Sequence, residues 1–139
     1  MMLKLGGILN FFIAFLHIFG LLWADTFFEI TGIAKEMRML ALLHFSLPYV
    51  LTLFVALIFF LFGLYGLSAD LAFRKLPFLK PMIFIIASIY LIRGFGGLFF
   101  IKTNFLNEFI FSLTSLLIGL LFLIGGLVKW KNIFRKFRV

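Results

Sequence analysis

Four apolar runs, at residues 5–23, 42–67, 81–101 and 109–128, dominate this chain. A bilayer core about 30 Å thick takes roughly 20 residues of helix to cross, and each run is of that order. The predicted fold is therefore all-α, an integral membrane antiparallel four-helix bundle, and residues 1–139 form a single transmembrane domain with nothing left over for a soluble one. Composition agrees. Hydrophobic residues make up 65% of the chain, charged residues 13%, and the mean hydropathy is +1.24, far from the makeup of a soluble domain. Pro48 lies near the start of the second run, whose first turns are expected to tilt, kink or lie along the interface. The first run follows Lys4 as a signal peptide would. Its length, and Leu22 in place of a small residue three before a cut after Ala24, predict an uncleaved helix.

A net charge of +8 would suggest nucleic acid in a soluble protein, but here the cations stand at the ends of apolar runs, and no nucleic-acid partner is expected. Of the 13 Lys and Arg, nine lie near the N-terminus (Lys4), in the second connection (Arg74, Lys75, Lys80) and in the tail (Lys129, Lys131, Arg135, Lys136, Arg138). The first connection (Lys35, Arg38) and the third (Lys102) hold three. Cytoplasmic loops carry the excess of Lys and Arg, so both termini are predicted to be cytoplasmic. In the tail, 129–139, Trp130, Ile133, Phe134 and Phe137 interleave with the five cations, a pattern suited to an anionic membrane surface. The first connection, DTFFEITGIAKEMRML, holds helix formers in its second half and is expected to pack on the bundle or the outer leaflet.

Lipid is as apolar as Leu, so membrane helices associate through small residues and polar contacts at spacings of three and four. Each run carries such a stripe: Gly7, Asn10, Ala14, His17 and Ala24; Thr52, Ala56, Phe59, Gly63, Gly66 and Asp70; Ala87, Tyr90, Arg93, Gly94 and Gly97; Glu108, Ser112, Ser115, Gly119, Phe122 and Gly126. The 3-4 alternation implies left-handed crossing at about 20°.

Arg93 is the one cation inside a run. Insertion of an Arg at a helix centre costs about 3 kcal/mol, whereas each Ile, Leu or Phe of the same run returns about 0.3 to 0.6 kcal/mol, so the span inserts without a dedicated partner. Its place in the stripe predicts that it faces protein. Counting from Lys80 and Lys102 puts it in the outer half of the layer, and the same count from Lys4 and Asp25 puts His17 at nearly the same depth. The polar groups on offer around Arg93 are Tyr90, Ser88, His17, Asn10, Asp25 and Glu29, with Glu36 and Glu108 the favoured carboxylates. A structural ion-pair or hydrogen-bond network is the first expectation, an anionic ligand site the second, and a snorkelling side chain the third. His17 and His44 together raise haem as an alternative, but His44 should lie shallower and no third ligand has helical spacing with either, so no cofactor is expected. With zero cysteines the chain has no thiolate metal site and no disulfide.

The stretches HIFG (17–20), GLYGLSA (63–69), LPFL (76–79) and YLIRG (90–94) resemble small uncharacterised bacterial inner-membrane proteins of four spans, broadly DoxX-like. The resemblance covers most of the chain. It implies the four-span bundle and a bacterial inner membrane, and it brings no activity with it.

No nucleophile with an adjacent base, phosphate-binding loop or metal constellation is recognisable. The sequence therefore reads as a non-enzymatic membrane protein acting through helix packing, either as accessory subunit of a membrane complex or as a self-associating bundle. The alternative is a binder or carrier of a small anionic or amphipathic molecule around Arg93, His17 and Tyr90.

Overall fold

The computed structural model describes residues 1–70, 76–99 and 105–136, with side chains for 106–131 in the last stretch. Among them the regular structure is all helical: α1 Met2–Gly20, α2 Ala24–Ile30, α3 Ala34–Leu43, α4 Leu47–Asp70, α5 Leu79–Phe99 and α6 Phe105–Lys136, with a single 3-10 turn at Leu21–Trp23. Four stretches are long and apolar enough to cross a membrane, Met2–Ile30, Leu47–Asp70, Leu79–Phe99 and Leu106–Lys131. The chain is a multi-pass membrane protein built as a four-helix bundle.

Contacts fix the antiparallel order. The Lys4 backbone N–H donates to Asp70 Oδ2 at 3.2 Å, and the Lys129 ammonium donates to the Ala69 carbonyl. The start of α1 and the ends of α4 and α6 thus share one end, the terminal end, while α2 and α3 form a hairpin at the other. Within the bundle α1 pairs closely with α4 and α5 with α6; the two pairs meet mainly along α1 and α6, and only slightly along α4 and α5.

The pairing follows from small residues. A Cβ on Gly66 would stand 2.7 Å from Gly7 Cα and 2.8 Å from the Leu3 carbonyl oxygen, so α1 and α4 touch backbone to backbone. On α5 and α6 the space beside Gly94 is filled by the Leu116 side chain, and that beside Gly119 by Leu91. Between the pairs, the Phe122 ring lies over Gly6 and Leu3 lies over Gly125. Leu3, Ala69, Ile83, Ile86, Ile118 and Phe122 form a core weighted to the terminal end. Most stripe residues are buried, among them Gly7, Asn10, Ala14, Thr52, Ala56, Gly63, Gly66, Ala87, Tyr90, Gly94, Ser112, Ser115, Gly119, Phe122 and Gly126.

All four spans differ from expectation in their bounds, two of them by five residues or more at one end. The second begins at Leu47 rather than at residue 42, because Pro48 has no N–H with which to continue a helix through residue 44. Leu42 and Leu43 instead close α3, and His44 is extended, with φ −160. The Pro48 carbonyl accepts a 2.8 Å bond from Thr52 Oγ1. The first span is longer than expected, since residues 25–30 continue it as α2 after a bend at Trp23, with Phe27 packed over Gly20. Gly32, at φ 76, then ends α2: its N–H donates to the Glu29 carbonyl and that of Ile33 to the Phe28 carbonyl, satisfying two carbonyls of the last turn. The AKEMRML segment is helical as α3 and packs on α4, with Met37 buried.

Candidate functional site

Midway along α5, Tyr90 donates its hydroxyl to Asn10 Oδ1 at 2.6 Å, and Asn10 Nδ2 donates to the Gly6 carbonyl at 2.8 Å. Asn10 is 0% and Tyr90 4% exposed, so this is a satisfied buried pair tying α1 to α5 across the two halves of the bundle. Around it, the Phe59 and Phe62 rings of α4 lie 6.3 and 6.2 Å from that of Tyr90. The His17 ring lies 5.0 Å from Phe59 and 5.5 Å from Phe27. His17 Nδ1 sits 2.8 Å from the Ile13 carbonyl. A carbonyl only accepts, so Nδ1 carries the proton, and Nε2 has no hydrogen bond among the described residues. With Asn10 level with Tyr90, His17 is level with Gly97, about 6 Å along the axis from Arg93. The shared depth read from the sequence becomes an offset of one turn.

Arg93 is exposed, contrary to its predicted inward position. The reason is angular. At about 100° per residue, Leu91 and Gly94 lie on one side of Tyr90 and face α6, while Arg93 lies about 60° to the other side, where α4 and α5 barely touch. It forms no hydrogen bond or salt bridge among the described residues.

Neither favoured carboxylate pairs with it. Gly97, one turn beyond Arg93, abuts Ser112, and Glu108 lies one further turn along α6, about 12 Å beyond Arg93 towards the hairpin end. Glu36 is exposed on α3 and forms no salt bridge among the described residues. In the hairpin the ion pair that does form joins Arg38 to Glu29 at 2.8 Å, with both side chains well exposed. His44 has a local role: its Nδ1 accepts the Ser46 N–H at 3.3 Å and lies 2.7 Å from Ser46 Oγ, shaping the turn into α4. Among the described residues no group of three His, Cys, Asp or Glu could hold a metal ion.

At the terminal end, two tail residues are engaged by the bundle. Lys129 donates to Ala69 at the carbonyl end of α4, where a cation is favoured, and the Trp130 ring lies 5.8 Å from that of Phe84. Lys131 is exposed. Arg74, Lys75, Lys102, Arg138 and the side chains of Arg135 and Lys136 lie outside the described residues.

Asp70 has a role that reading the sequence missed. It accepts from the Lys4 N–H in the first turn of α1, with the Met1 amino group on the same carboxylate. The signal was present, since an acid at a helix C-terminus opposes its own helix dipole and so belongs with another helix's N-terminus. Asn107, which donates to the Ile30 carbonyl at 3.1 Å and joins α6 to α2, had no such signal. The chain matches no family model, no curated protein and no solved structure.

Proposed function

We propose that this protein works by lateral association within the bilayer, as accessory subunit of a membrane complex or as a self-associating bundle, in a bacterial inner membrane with both termini in the cytoplasm. The observation that carries the reading is a second seam on α5. Ile85, Ile89, Ile92, Gly96 and Phe99 recur at spacings of four, three, four and three, the period of a helix-packing face, and the four large side chains are exposed on the bundle's outside. Gly96 is the one glycine of the four spans with nothing within 4 Å of the position its Cβ would take. Every other glycine of those spans accommodates a neighbour. The resemblance to small DoxX-like proteins fits a bundle of this size.

The test is Gly96→Leu, which fills that notch without touching the bundle. The particle mass of the protein extracted from membranes in lipid discs is expected to fall to that of a lone chain, with thermal stability in detergent unchanged. A wild-type particle that is already a lone chain defeats the reading. Because the chain has no cysteine, single cysteines at Lys4 and Glu36 labelled by an impermeant maleimide test the orientation cleanly. Lys4 is expected to react only from the cytoplasm.

A second reading, a binder of a small anionic or amphipathic molecule, is supported by the exposed Arg93 side chain and by His17, whose Nε2 has no hydrogen bond among the described residues.

A further inference from the structure

Arg93 stands at the edge of the outward seam of α5, four residues after Ile89 and three before Gly96, so the cation flanks the notch. It lies six residues, about 9 Å, short of Phe99 and fourteen residues, about 21 Å, beyond Leu79, which sets it within the apolar layer rather than at its edge. A guanidinium carries five N–H donors, and at that depth its favoured complement is a carboxylate it can grip with two of them.

The chain's own acids do not supply one. Asp70 is held at the terminal end by α1. Glu108 is about 12 Å beyond Arg93 towards the hairpin end, Asp25 lies eight residues past His17 in the same direction, and Glu29 and Glu36 belong to the α2–α3 hairpin, where Glu29 pairs with Arg38. A second copy inserted in the same sense would carry the same arrangement. Packed seam to seam, it would bring no carboxylate to that depth.

We infer that the outward face of α5 docks a transmembrane helix of a different protein, one that lays a large side chain over Gly96 and carries an Asp or Glu at the depth of Arg93. This rests on the lateral-association reading and decides within it for a hetero-complex over self-association. Ile92 and Phe99 flank the notch and set the register. The charge pair sets partner choice, because a helix without the acid leaves the guanidinium unmatched.

The test uses the full chain in bilayers with synthetic Leu/Ala transmembrane helices as probes, association being read by energy transfer. One probe carries Glu at the depth of Arg93, a second carries Gln there, a third carries Glu two turns away, and a fourth carries Arg. The first probe is expected to bind roughly tenfold more tightly than the second, in line with interhelical polar contacts in membranes. It should lose that advantage against Arg93→Leu, and the Arg probe should regain it against Arg93→Glu. Gly96→Leu should weaken the Glu probe while leaving the fold intact. Equal binding of the Glu and Gln probes overturns the inference, as does failure of the charge-reversed pair to recover. Displacement of the Glu probe by anionic phosphatidylglycerol but not by phosphatidylcholine overturns it in favour of an amphiphile site. If Gly96→Cys forms disulfide dimers efficiently between copies, lateral association stands and the hetero-partner falls. If the native particle is a lone chain and no probe binds above background, both fall.

Discussion

The two helix pairs solve the same packing problem by opposite means. On the α1–α4 seam, Gly7 and Gly66 meet main chain, which cannot move without moving a helix. On the α5–α6 seam, Gly94, Gly97 and Gly119 first meet the side chains of Leu116, Ser112 and Leu91, which can turn, with the backbone nitrogens of Leu116 and Leu91 behind them at 3.0 and 3.1 Å. The first seam is rigid because both sides are bare, while the second is a fit between side chains and notches. The candidate residues divide between them: Arg93, Tyr90 and the outward notch at Gly96 belong to α5, Asn10 and His17 to α1.

Substitutions separate the two seams. The largest effect is expected from Gly66→Ala, whose new methyl would press on Gly7 Cα at 2.7 Å and on Leu3 O at 2.8 Å. Overpacking against backbone should cost about 3 kcal/mol, read as a clear fall in the detergent melting temperature. Gly94→Ala should cost about 1 to 2 kcal/mol, because the displaced atoms belong mostly to Leu116. A loss at Gly94 equal to that at Gly66 would break the comparison. Tyr90→Phe tests what joins the pairs. It removes the donor to Asn10 and should cost about 1 kcal/mol, with cross-linking between α1 and α5 reporting any separation. Smallest of all, Gly126→Ala meets Ile83 Cγ2 at 3.2 Å. The gain in helix propensity of about 1 kcal/mol should nearly offset that contact, leaving stability within about 0.5 kcal/mol of wild type.

Much of this architecture was legible in the residues. The four runs gave the span count, and the small residues at three and four gave the buried faces, because in lipid only close backbone approach and polar contacts reward association. Asn10 and Tyr90 both stood out as polar members of such faces. The boundary at Pro48 was less readable because hydropathy continues across it while backbone hydrogen bonding does not, and the one after Trp23 for the opposite reason, because Asp25 and Glu29 interrupt the apolar run while the helix resumes as α2. The site was legible in part: its residues were nameable, their pairings were not. Glu108 sits in a stripe on α6 yet is about 12 Å from the level of Arg93, a distance set by the register of α6 on α5. No residue type announces that register.

Sequence by itself determined that the chain is a bundle of apolar helices with glycine-lined seams and a single intramembrane cation, because length, hydropathy and spacing are properties of the chain alone. Tertiary structure decided which way Arg93 turns. A stripe that alternates threes and fours admits both residue 93 and residue 94, and these differ by about 100° on a helix. Only the contact of Gly94 with Leu116 and the bond from Tyr90 to Asn10 set the rotation of α5, sending Gly94 into the seam and Arg93 out of it.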